Sequence, residues 1–497
     1  MTRSGWRQWT AKRCRRIGLL VLALLVSVYS GVAVYHTIKP LPDGLNAAMP
    51  PRSDGEVRFL ADYTWLDEDG RRQMDHEIFD RILALIDGAE RLIVLDMFLF
   101  NDFAGASDDA DLRPLSAEVA DALIQRKEQR PDMPVILITD PINTLYGGIE
   151  NDHLHRLEAA GVDVIVTRLT ALRDSNPTWS GLWRLCCQWF GNSPSGWLPN
   201  PVGEEPVPMR SILALLNFKA NHRKTLFADT PAGWTGLVTS GNPHDASSAH
   251  GNIAVEFSGQ AALDLLATER AVARFSRPEL DWSELDQLQA AAEEEAVPAD
   301  ASDMRVQVLT EEAVLEGILA LLERSRAGES VDLAIFYLSQ RDTVEALLAA
   351  HQRGVRVRVL MDPNEGAFGR EKAGVPNQPV AHELHQAGIP VRWCNTRGEQ
   401  CHSKFILHRG NDGRGEFIAG SANFTRRNLD NFNLETSVSV RATQDAPVME
   451  EAAGYFDGRW HNRPGQEFSL PYSEYEEESR FRYWQYRFME ATGLSTF

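Results

Sequence analysis

Cysteine is scarce in this chain, five among 497 residues, and no Cys-x-x-Cys pair occurs. That excludes a disulfide-built scaffold and a thiolate zinc centre of the usual spacing. Basic charge is also short: 50 Lys and Arg stand against 70 Asp and Glu, a formal net charge of −20. A protein that grips nucleic acid by its phosphates needs basic grooves, so this balance argues against such a partner. A local basic channel would escape the argument, and a nuclease is therefore demoted without being excluded. Long hydrophobic runs are missing with one exception, Ile17 to Tyr35, which is 19 residues without a charge.

That run is long enough to cross a hydrocarbon core as a helix. Arg3, Arg7, Lys12, Arg13, Arg15 and Arg16 precede it, and only Lys39 follows closely. Positive charge stays cytoplasmic, so the expected topology is a single pass with residues 1–16 inside and the bulk outside. In a bacterium this is the periplasmic face of the inner membrane. A cleaved signal peptide is the competing reading, with Gly31-Val32-Ala33 as a poor small-x-small site. The run exceeds a usual signal core, which favours an uncleaved anchor over residues 17–38. Cys14 then lies inside, leaving Cys186, Cys187, Cys394 and Cys401 where disulfides can form. The adjacent pair Cys186-Cys187 is expected not to bond to itself, which leaves buried thiols or one bond, Cys394 to Cys401.

Two near-copies of one short pattern lie 180 residues apart. The first is Asn221-His222-Arg223-Lys224, then Asp229, then Ser240-Gly241-Asn242; the second is His402-Ser403-Lys404, then Gly420-Ser421-Ala422-Asn423. His and Lys at i and i+2 share one face of a strand. The Lys-to-Ser gaps, 224 to 240 and 404 to 421, nearly agree. One His-x-Lys is common by chance, whereas two followed at one distance by Ser-x-Asn are not. The pattern resembles the signature of the phospholipase D superfamily, His-x-Lys-(four residues)-Asp followed by Gly-Ser-x-Asn. The first copy has Thr239 where Gly is usual, and the second has Arg409 where Asp is usual.

The duplication extends beyond the motifs. Apolar strands at Arg91-LIVLDMFLFND and Ser330-VDLAIFYLSQRD each precede a helical pattern, Leu115 to Gln129 and Val344 to Arg353. Each is followed by a strand ending in Asp140-Pro141 or Asp362-Pro363, then a helix stopped by Gly161 or Gly388. Alternating strands and amphipathic helices predict an α/β chain of two tandem repeats, each a mixed sheet flanked by helices. The resemblance adds a pseudo-twofold axis between them. The expected organisation is repeat one over 55–275, an acidic linker over 276–303, repeat two over 304–463 and an aromatic tail over 464–497. Repeat one carries an insertion over 168–216 that includes Trp179, Trp183, Trp189, Phe190 and Trp197. These aromatics read equally as a membrane or ligand surface and as the core of a small subdomain. The tail reads as a helix docked on its own domain.

The resemblance implies one shared pocket in which His222, Lys224, His402 and Lys404 are catalytic. It assigns His222 as nucleophile and His402 as general acid, with exchanged roles still open. Ser240, Asn242, Ser421 and Asn423 would bind the substrate phosphate. Glu256 and Glu435 would orient the imidazoles, and Asp229 would be structural. No metal or other cofactor is implied, because the lysines supply the positive charge. His155 and His382 read as surface or helix-packing residues. Asp140 and Asp362 read as turn openers or ligand-facing groups, and His244, Asp245, Ser247, Ser248 and His250 form a polar loop that could meet a headgroup.

The leading expectation is a membrane-anchored phosphodiesterase or transphosphatidylase acting on phospholipids through a phosphohistidine. The acceptor would be water or an alcohol such as glycerol or a second phospholipid. The Asn-His-Arg-Lys run resembles bacterial cardiolipin synthases, which commonly carry two N-terminal spans where this chain has one. Competing readings are a nuclease-type phosphodiesterase of the same superfamily and a non-catalytic envelope binding protein.

Overall fold

Two strands, Ile93–Met97 and Ser330–Ile335, are buried along their whole length, as strands covered by helices on both faces must be. Each sits in a large mixed sheet. In the first sheet the spatial order is Val57–Ala61, Ile253–Ser258, Gly233–Thr239, Lys224–Thr230, Ile93–Met97, Val135–Thr139 and Asp163–Val166. In the second it is Arg305–Thr310, Thr436–Thr443, Arg414–Gly420, Lys404–Arg409, Ser330–Ile335, Arg356–Met361 and Val391–Cys394, followed by Ser469–Pro471. The two orders correspond strand for strand, and so do the parallel and antiparallel pairings. The computed structural model describes residues 3–53, 55–103, 112–200, 203, 205–231, 233–295, 303–367, 370–371, 374–495 and 497.

Three hydrophobic layers hold the halves together. Each half has its own outer core, where helices such as Ile78–Gly88 and Glu312–Arg324 cover the sheet. The third layer is shared: Gln260–Ser276 and Pro447–His461 bury residues against both sheets. Phe59 of the first half packs on Phe405 and Phe417 of the second at ring-centroid distances of 5.6 and 5.8 Å. The shared core therefore fixes how the halves face one another. Gly161 and Gly388 follow the helices Asp152–Ala159 and Asn377–Gln386 with φ of 86° and 89°, left-handed positions that stop a helix and favour glycine.

The N-terminal helix Arg3–Ile38 stands mostly clear of the rest. Its Lys12–Ile38 part has mean hydropathy 2.5 over its most apolar window and is long enough to cross a membrane. Its last turns rest on the insertion helix Pro177–Cys186, started by the Asn176 cap and a proline in the first turn. Within the insertion Trp183 is buried and Trp179 half-buried, while Trp189, Phe190 and Trp197 are exposed. Trp183 thus belongs to the core of the small subdomain, while Trp189, Phe190 and Trp197 lie on its surface. The acidic stretch between the repeats contains the helix Ser283–Glu295, whose Leu285 is buried in the shared core, so it is partly packed. Its residues 296–302 lie outside the described residues.

The tail adds the strand Ser469–Pro471 to the second sheet and docks the helix Arg480–Thr492 through buried Tyr486, whose hydroxyl accepts from Arg341 at 2.8 Å. Cys394 and Cys401 are disulfide-bonded. Cys186 and Cys187 are bonded as well, against the expectation for neighbours. The helix ends at Cys186, and Cys187 leaves helical geometry with φ of −127°, which lets the two sulfurs meet.

Candidate active site

The motif strands Lys224–Thr230 and Lys404–Arg409 occupy matching places in the two sheets. Each histidine lies just before its strand, where the backbone hydrogen-bonds to the other half. The His222 N–H donates to the Leu434 carbonyl and the His402 N–H to that of Gly251, both at 2.9 Å. Asp140 and Asp362, at the ends of the Asp-Pro strands, set the residue before each histidine. Asp140 accepts the Asn221 N–H at 2.7 Å, and Asp362 accepts the Cys401 N–H at 2.8 Å. Each lysine ammonium donates to the carbonyl of its own motif histidine at 2.7 Å.

The pseudo-twofold repeats in the pocket floor. Phe98 lies 4.8 Å from the His222 ring and 5.0 Å from the Lys224 ammonium; Phe336 lies 5.1 Å from both the His402 ring and the Lys404 ammonium. His222, Lys224, His402 and Lys404 are all buried and close enough to act on one another electrostatically. Burial pushes Lys224 down to about 7, opposed by Glu435, Asp96 and Asp140. Burial and then the Lys224 charge hold Lys404 well below the usual lysine value. Burial takes His222 down to about 4 despite Glu435, and it also lowers His402, reinforced by Lys404. Two lysines buried in one site are an unfavourable arrangement when charged, and an anion relieves it.

Each imidazole is held by a side chain from the opposite half, and the two holders differ. His222 Nδ1 meets Glu435 Oε1 at 2.8 Å. His402 Nδ1 meets Asn252 Oδ1 at 3.1 Å. Asn252 donates its amide to the carbonyls of His250 and Ser247, which fixes its oxygen toward the imidazole. Glu256, expected in this role, lies farther along the strand and forms a bidentate pair with Arg81 at 2.6 and 2.7 Å. The serines identify the true equivalents. Ser240 donates to Asn252 and accepts the Ile253 N–H, while Ser421 donates to Glu435 and accepts the Thr436 N–H. Their hydroxyl protons are thus engaged with the imidazole holders and not offered to a phosphate.

Asn242 Oδ1 accepts the Leu99 N–H at 3.2 Å. The matching oxygen of Asn423 is buried and makes no hydrogen bond among the described residues. Asp229 clamps the backbone N–H groups of Glu90, Arg91 and Leu92 at distances from 2.8 to 3.1 Å, apart from the imidazoles. In the second half Arg409 instead bridges Asp332 and Asp457. The position is structural in both halves, so losing an aspartate there leaves the pocket intact.

Several contributors escaped sequence reading. Phe98 and Phe336 follow the matching strands Ile93–Met97 and Ser330–Ile335, whereas Asn252 carries no motif of its own. Arg223, on the strand face opposite Lys224, is fully buried and pairs with Glu311 at 2.7 Å and Glu269 at 3.4 Å. Glu311 also accepts the Glu435 N–H at 3.2 Å, connecting the first motif to the residue that holds its histidine. The loop after Asn242 is the short helix Asp245–Ala249 and is largely buried. From it His250 reaches the pocket, with its ring 5.8 Å from His402. His155 pairs with Glu150 at the surface and His382 meets the Tyr472 hydroxyl, both outside the pocket. Among the described residues no cluster of three or more metal-ligating side chains forms.

A crossed pair of His-Lys motifs on a duplicated mixed α/β frame defines a class, and comparisons agree with it. Residues 318–460 match the family model described as cardiolipin synthase, PLD-like domain. That part of the chain is thus similar to the PLD-like domain of cardiolipin synthases. The mitochondrial cardiolipin hydrolase of Homo sapiens is 32% identical over 149 residues, 30% of this chain and 52% of that protein. The mitochondrial cardiolipin hydrolase of Xenopus tropicalis is 29% identical over 151 residues, 30% of this chain and 62% of that protein. The chain thus spans about half the length of the curated relatives it matches. The fold is similar to the crystal structure of phosphatidylserine synthase from Haemophilus influenzae Rd KW20. The TM-score is 0.52 at 12% identity, covering 91% of this chain and 96% of that one.

Proposed function

We propose that this chain is a membrane-anchored phosphodiesterase that moves a phosphatidyl group through a phosphohistidine on His222. The observation that carries the proposal is the unlike pair of holders, Glu435 on His222 and Asn252 on His402. With Nδ1–H donated to a carboxylate, His222 presents Nε2 as a lone pair and its developing positive charge is stabilised. An amide oxygen orients His402 without stabilising its charge to the same degree, so His402 releases its proton more readily.

In the first step His222 Nε2 forms a bond to phosphorus while the ester P–O bond breaks, and His402 protonates the leaving oxygen. In the second, water or an alcohol attacks phosphorus, His402 takes the proton and the P–N bond breaks. Lys224 and Lys404 neutralise the charge on the non-bridging oxygens throughout. The amide N–H groups of Asn242 and Asn423 are donors of the kind such a phosphate takes.

A phospholipid is favoured over a polynucleotide by the net charge of −20 and by the apolar N-terminal helix. The test uses the full chain in vesicles of phosphatidylglycerol and phosphatidylethanolamine, with and without glycerol, and in parallel with single-stranded DNA. Phosphatidic acid is the product expected with water as acceptor, and a new phosphatidyl species with an alcohol. Both should vanish in His222→Ala and His402→Ala. Cleaved DNA with untouched lipid would replace the proposal with the nuclease reading.

A further inference from the structure

The helix Arg480–Thr492 is bound to the body through one face only. Tyr486 and Glu490 are buried, whereas Phe481, Trp484 and Phe488 are 77%, 67% and 60% exposed on the opposite face. Their spacing of three and four residues makes a continuous apolar stripe. Such a stripe on a water-facing surface marks a contact with something apolar. The insertion has its own exposed group, Trp189, Phe190 and Trp197, at 75%, 68% and 71%.

Two sets of contacts say what covers them. The first ties the insertion to the spanning helix. Tyr29 donates its hydroxyl to the Thr178 carbonyl at 2.7 Å, and a Cβ on Gly181 would lie 3.0 Å from Ala33 Cβ. This is the close small-residue packing of helices in lipid. If Ile17–Tyr35 fills a hydrocarbon core of about 30 Å, Tyr29 lies roughly 9 Å inside its outer edge and Ala33 roughly 3 Å. On that placement the helix Pro177–Cys186 meets the bilayer boundary, and it carries the exposed Leu182 and Leu185. The second set ties the C-terminal helix to the insertion. Gly493, which ends that helix, lies so close to the Ser175 carbonyl that a Cβ would be 1.7 Å from its oxygen. Arg427, just past the second motif, stacks on Phe218 and donates to the Ser495 carbonyl at 2.6 Å.

We infer that the Phe481–Trp484–Phe488 face is an interfacial membrane helix, lying in the same bilayer as the N-terminal span and flanking the insertion aromatics. The occupant is the lipid surface itself, since the insertion beside this helix is already at bilayer depth. A helix that docks on the body through one face and presents tryptophan and phenylalanine on the other suits that plane. The contact places the segment after Asn423 at headgroup level and restricts how the body can tilt about its single span. It goes beyond the proposed reaction and does not depend on it.

The test uses the full chain with Cys14→Ser, reconstituted in phosphatidylethanolamine–phosphatidylglycerol vesicles, carrying a nitroxide at Trp484→Cys or, separately, at Phe488→Cys. Asp412→Cys, in the exposed turn of the second sheet, is the aqueous reference. Collision with dissolved oxygen relative to a water-soluble nickel chelate should be several-fold higher at 484 and 488 than at 412. Near-UV circular dichroism verifies that each labelled protein is folded. Water-like collision ratios at both sites in a folded protein would overturn the inference. Because the readout is depth and not turnover, an absence of phosphodiesterase activity would strike the proposed function alone.

Discussion

Asn252 holds His402 through its amide oxygen, 3.1 Å from Nδ1, in the place where the other half uses a glutamate. A carboxylate introduced there should stabilise the imidazolium and make His402 a weaker acid. In Asn252→Asp the limb of the pH–rate profile assigned to His402 should move to higher pH, with a lower rate of leaving-group departure. In Glu435→Gln the nucleophile loses its charge partner, and kcat should fall by about 100-fold. Steady-state profiles of both variants check the division of labour. Equal losses with no shift of either limb would refute it.

The two buried lysines predict how anions bind. Lys224 lies near 7 in the free pocket and an anion beside it must raise that value, so binding takes up a proton above about 7. The affinity for inorganic phosphate or tungstate should therefore weaken as pH rises through the neutral to alkaline range. Calorimetry in buffers of different ionisation enthalpy would give the proton uptake directly. A pH-independent affinity with no uptake would contradict the assignment.

Lys404→Met separates stability from function. Burial holds the folded-state pKa of Lys404 below its unfolded value of about 10.5. Between those values the unfolded chain binds the extra proton, so wild-type stability rises with pH across that window. At neutral pH the wild type carries this penalty and the variant does not. Turnover should disappear while Tm rises by about 1 °C, equivalent to about 1 kcal/mol for a chain of this length. The gain should narrow as pH approaches the unfolded lysine value, a trend visible in thermal scans at several pH values.

Arg223 should behave in the opposite sense. Arg223→Met leaves Glu269 and Glu311 buried without their cation, a change expected to destabilise by about 3–5 kcal/mol. Because Glu311 also receives the Glu435 N–H, activity should fall more than the folded fraction does. Urea titration paired with activity per folded molecule measures both. An unchanged midpoint would show that the pair contributes no net stability.

The repeat was readable because its strands and motifs carry local patterns: apolar runs, Asp-Pro ends and His-x-Lys alternation. The lysines and histidines stood out by their spacing, and the family resemblance supplied their roles. The second holder did not, since Ser240 and Asn252 are two residues closer in sequence than Ser421 and Glu435. Searching for a glutamate therefore led to Glu256, which the strand carries away to Arg81. Only the hydrogen bonds from each serine to its partner identify Asn252. The Arg223–Glu311 pair was hidden for a related reason: 88 residues separate its members, and it forms only where the halves meet. Nor did the sequence decide which insertion tryptophans are buried, because that depends on where the spanning helix leans.

The pairing of each histidine with the opposite half has a consequence for how the protein comes into being. His222 takes both its backbone anchor and its carboxylate from beyond residue 430, and His402 takes its own anchor and amide from near residue 250. A nascent polypeptide whose amino-terminal portion has already condensed thus owns a histidine but nothing to aim it. Any lipid-cutting capacity would arise only once the carboxyl-terminal portion arrives, so a half-made or truncated product beside the bilayer would be harmless to it.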